Sequence, residues 1–115
     1  MTTALDGTLA ALADPTRRGV IDLLRMRPRR PAELAAAFRM SPPAMSRHLR
    51  VLRVKGLVEE ERADPNDDAR LRTYRLRREP FVELADWLAG VEEFWIDQLG
   101  AFKAHAERTG KGKRR

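Results

Sequence analysis

Ser41–Val58 reads SPPAMSRHLRVLRVKGLV, and the fold follows from the order of these eighteen residues. At 100° per residue Met45, Leu49 and Leu52 share one side of a helix, while Pro43, Ser46, Arg47, Arg50 and Arg53 spread over the other. Ser41 is an N-cap residue with Pro42 at the first helical position, where a missing N–H leaves no partner unserved. Gly56 is placed to end the helix in a left-handed conformation. One side docks on a core and the cationic side is left free.

Upstream, PAELAAAF at 31–38 predicts a helix ending near Arg39 and Met40. Two helices are then joined by a turn of a few residues, which is the helix-turn-helix arrangement. The preceding RMRPRRP is too charged and proline-rich for a core, and its Arg27, Arg29 and Arg30 either touch a polyanion or are simply solvated. PTRRGVIDLLRM predicts a helix capped by Asp14, opened by Pro15 and burying Val20, Ile21, Leu23 and Leu24. Leu5, Leu9 and Leu12 fall at i, i+4 and i+7, giving a short first helix over 4–13 with one apolar stripe.

Downstream, LVEEERA and LRTYRLR flank the turn-rich DPNDDA and predict a β-hairpin with Tyr74 and Leu76 facing the core. The three consecutive glutamates fit the first strand poorly. Glu79-Pro80 opens a last long helix in which Leu84, Leu88, Val91, Trp95, Leu99 and Phe102 recur at spacings of three and four, with Phe81, Trp87 and Phe94 beside them. Such a band is longer and wider than the small preceding domain can cover, so helix–helix dimerisation is expected in preference to packing within the chain.

A chain of 115 residues is one domain's worth. With no cysteine it can build neither disulfides nor thiolate metal sites. No basic leader precedes the first apolar residues and no apolar run approaches a membrane span, so a soluble, cytoplasmic protein is expected. The net charge of +6 is unevenly placed: residues 14–56 hold eleven Lys/Arg against three Asp/Glu, and residues 57–107 seven against thirteen. That asymmetry suits a protein presenting one face to a polyanion, although a solvated charged surface gives the same composition. The tail RTGKGKRR, 108–115, has no apolar anchor and is expected to be disordered, either adding phosphate attraction or without a specific role.

The ordered set LADPTRRGVIDLL, AELAAAFRMSPPAMSRHLRVLRVKGLV and a hairpin ending in TYRL resembles the ArsR family of winged helix-turn-helix transcriptional regulators over residues 9–107. The closing ADWL and FW elements resemble those of its metal-independent members. The resemblance implies a mainly α fold with a small β-hairpin, in the order α-α-α-α-β-β-α, and residues 1–107 as one DNA-binding and dimerisation domain. It also implies a homodimer joined through the first and last helices, with the fourth helix in the major groove of double-stranded DNA. By position, Ser41, Pro43, Ser46, Arg47 and His48 match the recognition segment, Arg17 a backbone contact, and Arg70 and Arg72 the wing. The dimer interface would hold Leu5, Leu9, Leu84, Leu88, Val91, Trp95, Leu99 and Phe102.

Independently of the family, a free cationic helix face fits a major groove about 12 Å wide, its N-terminal residues reaching base edges. Arg47 there reads a guanine or clamps a phosphate; Arg50 and Arg53, further along, suit phosphate. Ser46 donates to DNA or only permits close approach, and His48 bonds a phosphate or is a boundary residue. The wing tip Asp64-Pro65-Asn66-Asp67-Asp68 is acidic where a basic or glycine tip is expected, which favours contact at its base, by Arg70 and Arg72.

Asp97, His105 and Glu107 are ordinary solvent-facing residues in this reading, so no metal and no cofactor is expected, and no effector is legible. No nucleophile pair or phosphate loop supports catalysis. The expected function is a homodimeric repressor on an inverted-repeat operator; the alternative is a winged-helix module that binds proteins without specific DNA binding.

Overall fold

Proline sets the first turn of three helices, each behind an extended capping residue: Asp14 before Pro15, Arg30 before Pro31 and Ser41 before Pro42. The computed structural model describes residues 3–62, 64, 66, 68 and 71–110. Its elements are α1 (Ala4–Leu12), α2 (Pro15–Leu24), α3 (Pro31–Ala37), α4 (Pro42–Val54), β1 (Val58–Glu61), β2 (Thr73–Leu76) and α5 (Glu79–Gly110), in the order expected. They form two compact units, Met1–Glu83 and Leu84–Arg115.

In the first unit α2 buries Val20, Ile21 and Leu24, α3 buries Leu34 and Ala35, and α4 buries Met45, Leu49 and Leu52. Leu57, Val58 and Tyr74 close the core from the hairpin, with Leu23 and Leu76 packed at its margin. The strands pair antiparallel, Val58 opposite Leu76 and Glu60 opposite Tyr74. A further bridge was not foreseen: Arg29, in the loop between α2 and α3, exchanges both backbone hydrogen bonds with Tyr74, at 3.1 and 2.8 Å. The loop is thus pinned to the hairpin by main chain despite its charged side chains.

α1 departs from the leucine-stripe expectation. Its inward residues are Gly7, Thr8 and Ala11, while Leu9 is 40% exposed and Leu5 and Leu12 are half-buried. The small residues let α1 lie close, and the Thr8 hydroxyl is satisfied by donating to the Ala4 carbonyl at 3.2 Å.

Two helix ends build the turn before α4 and the exit after it. At the end of α3, Met40 N–H reaches Ala35 O at 2.9 Å and Arg39 N–H reaches Ala36 O at 3.2 Å, with Arg39 at φ 53°. At the end of α4, Leu57 N–H reaches Leu52 O at 2.9 Å and Gly56 N–H reaches Arg53 O at 3.0 Å, with Gly56 at φ 82°. Both are Schellman closures; the second uses the glycine the sequence offers, whereas the first holds an arginine in the left-handed region.

The second unit is the remainder of α5, beyond its first turn. Trp87, Leu88, Phe94, Trp95, Ile96, Leu99 and Phe102 are all exposed in the single chain, and Phe94 meets Trp95 edge to face at 5.6 Å. α5 continues to Gly110, so Arg108, Thr109 and Gly110 are helical where a disordered tail was expected from 108 onward; residues 111–115 lie outside the described residues. Among the described residues no helix is long and apolar enough to cross a membrane.

Candidate nucleic-acid interface

α4 is held from behind and open in front. Met45, Leu49 and Leu52 fix its rotation on the core, which leaves Pro43, Ser46, Arg47, Arg50 and Arg53 exposed. Pro42 and Pro43 remove two donors of the first turn, and the next, Ala44 N–H, is taken by Ser41 Oγ at 3.3 Å. The start of this helix therefore offers side chains rather than free N–H groups to anything that approaches it.

The cations on that face differ in what already holds them. Among the described residues Arg47 and Arg50 have no ion pair or hydrogen-bonded side-chain partner, but Arg53 Nη1 lies 3.2 Å from Glu60 Oε1. Glu60 also accepts from the Tyr74 hydroxyl at 3.1 Å and lies 3.9 Å from Arg72 Nε. The Arg72 guanidinium sits 5.7 Å from the Tyr74 ring centroid, and its buried Nε has no hydrogen-bond partner among the described residues. Burial above all, with help from Glu60 and against the Arg72 charge, holds the Tyr74 phenol above its ordinary value.

A second cluster joins α4 to the corner between α1 and α2. The Asp14 carboxylate caps α2 by accepting from Arg17 N–H at 3.0 Å. Arg17 Nε donates to Ala11 O at 2.7 Å and Arg18 Nη1 to Leu12 O at 2.7 Å, so the paired arginines satisfy the carbonyls that α1, with no basic residue in its last turn, leaves open. Arg17 Nη1 comes within 3.5 Å of His48 Nδ1, and Asp14 Oδ2 stands 3.8 Å from that nitrogen. The Arg17 N–H is the main cause that keeps the Asp14 carboxyl below its ordinary range.

The remaining expected residues are more scattered. Arg27 pairs with Glu33 at 2.9 Å, Arg29 serves the backbone bridge, and Arg30 is exposed. Arg72 is half-buried just before β2, at the loop end of the strand pair; Arg70, with Ala63, Pro65, Asp67 and Ala69 of the wing, lies outside the described residues. Glu60 and Asp14 were missed as parts of the site. The strand period held the signal for the first, because alternation places Glu59 and Glu61 on one face, where Arg75 pairs with both, and Glu60 on the other. Among the described residues no group of three His, Cys, Asp or Glu side chains is placed to hold a metal ion.

A short-turn helix pair, a two-stranded hairpin behind it and a second helix with an open cationic face define the winged helix-turn-helix class of DNA-binding proteins. Residues 14–60 match the model of the bacterial regulatory protein, arsR family. The chain is 40% identical over 105 residues to the HTH-type transcriptional regulator Rv2034 of Mycobacterium tuberculosis, covering 91% of each chain. It is 31% identical over 58 residues to the transcriptional repressor SdpR of Bacillus subtilis, covering 50% of this chain and 64% of that protein. Its fold matches the homodimeric winged helix-turn-helix DNA-binding domain of a possible ArsR-family regulator of Mycobacterium bovis, with TM-score 0.60, 25% identity and 83% of each chain covered. The protein belongs to the ArsR family and is a DNA-binding transcriptional regulator of the helix-turn-helix kind. None of these relatives is described as an enzyme.

Proposed function

We propose that the protein is a homodimeric repressor of the metal-independent type, which blocks a promoter by setting two copies of α4 in successive major grooves of an inverted repeat. The observation that carries this is the pair of exposed cations Arg47 and Arg50, without a partner among the described residues, on a helix whose opposite face is locked into the core. In this reading Ser41, Pro43, Ser46 and Arg47 approach base edges, His48 and Arg50 approach the sugar-phosphate backbone, and Arg17, Arg53, Arg70 and Arg72 border the contact. Half-sites then fall about 34 Å apart, one helical turn.

Self-association is supported by the band on α5, where Leu88, Trp95, Leu99 and Phe102 are exposed and Leu84 and Val91 half-buried, and by the exposed Leu9 and half-buried Leu5 of α1. The homodimeric Mycobacterium bovis relative favours the same state, and the name of the Bacillus relative favours repression over activation. The absence of cysteine supports the metal-independent type. Residues 1–107 are read as carrying both DNA binding and dimerisation, in the cytoplasm, with the basic residues from 108 onward adding attraction to phosphate.

Selection of bound duplexes from a random pool is the direct test. A palindromic consensus is expected, and Arg47→Ala should cost roughly 1–3 kcal/mol on that consensus while relaxing preference at one position of each half-site. Equal losses on all sequences would assign Arg47 to phosphate. A pool without enrichment at any salt would point to a protein-binding module instead.

A further inference from the structure

One carboxylate, Glu60, stands within reach of two arginines, one on α4 and one beside β2. The alternation of β1 sends Glu60 away from Glu59 and Glu61, toward Arg53 of α4 and Arg72 beside β2, where it is about three-quarters buried at 24% side-chain exposure. It reaches Arg53 at 3.2 Å on one side and Arg72 at 3.9 Å on the other, and the Tyr74 hydroxyl at 3.1 Å fixes its position. Arg53 is nonetheless half exposed, and the Arg72 Nε that faces Glu60 makes no directed hydrogen bond. Both cations are thus restrained by charge at a place from which they could otherwise turn to an incoming polyanion.

We propose that Glu60 is a specificity-determining residue of the DNA-binding surface: its carboxylate withdraws Arg53 and Arg72 from phosphate and so holds down sequence-independent attraction. Arg47 and Arg50, which no carboxylate among the described residues restrains, remain available for the operator. The inference rests on the reading of double-stranded DNA as the ligand of α4. Its physical basis is counterion release: each phosphate neutralised steepens the fall of log K with log salt by about 0.9 for duplex DNA, so a cation paired within the protein is largely lost to nonspecific binding.

The test uses the full chain and a labelled duplex of random sequence, titrated at salt from about 50 to 200 mM. Glu60→Gln keeps an amide oxygen for Tyr74 and Arg53 but removes the charge. It should bind more tightly than wild type at each salt, and its affinity should fall roughly threefold further across that interval, as one added phosphate contact requires. Arg53→Gln should then cost more affinity in the Glu60→Gln background than in wild type. A Glu60→Gln protein with unchanged melting and an unchanged or shallower salt slope would overturn the proposal.

If Glu60→Gln folds poorly, two single variants of the wild type decide. Arg50→Gln should flatten the slope by roughly one and Arg53→Gln by clearly less; equal flattening would overturn the role of Glu60. Wild type that binds no duplex at low salt would instead remove the DNA reading, and this proposal with it.

Discussion

Asp14 shows how one residue carries structure and site together. It caps α2 through Arg17 N–H, stands beside His48 of α4, and has its carboxyl held below the ordinary value of 3.8, chiefly by that capped N–H. A carboxyl with a lower pKa in the folded than in the unfolded chain stabilises the fold fully above the unfolded value and loses that contribution as pH falls through the folded one. Acid unfolding of the wild type should accordingly include a stability loss that begins below about pH 4, in the range where an unfolded aspartate titrates. Asn is an equally good cap, so Asp14→Asn should fold at neutral pH and lack that component of the acid transition; a circular dichroism titration compares the two. The cap and the proline behind it were legible in DPTRR, since both are local. The side-chain destinations of Arg17 and Arg18 were not, because the carbonyls they satisfy belong to α1 and meet them only after the corner between α1 and α2 has formed.

Among the elements, α4 was read most completely. Its buried residues Met45, Leu49 and Leu52 are those its 3.6-residue period assigns inward, and Ser41 and Gly56 bound it as cap and left-handed exit. Leu49 is 1% exposed, so Leu49→Ala should lower stability by about 2–5 kcal/mol in denaturant unfolding. Arg50→Gln, one residue on, should leave the same transition unmoved, because no partner within the described residues is lost. A shared loss would contradict the division of the helix into an anchoring and an open face. Elements whose inner surface is not apolar were less legible: α1 packs through Gly7, Thr8 and Ala11 while its leucines lie aside, and β1 hides its logic in a run of glutamates that only pairing with Arg75 on one face and Arg53 on the other sorts out.

For the whole molecule, the first unit has a closed apolar core, and the second is a helix whose large side chains stand in solvent: Trp95 is 57% and Phe102 70% exposed in the single chain. Apolar surface of that extent on a helix favours association. Trp95→Asp should shift the protein toward monomer in sedimentation velocity and weaken binding to a palindromic duplex, while the melting of the first unit stays near wild type. An unchanged sedimentation coefficient would exclude this band as the contact. The fold order was legible because it follows from periods and caps, but the joint between the hairpin and the loop at Arg29 was not, since it is written in peptide groups. That has an evolutionary consequence. A joint made by an N–H and a C=O at position 29 does not itself depend on which side chain stands there, so drift can replace the arginine by another residue that fills the space of its half-buried side chain and leave the architecture standing; proline, lacking the hydrogen, would sever one of its two strands of support.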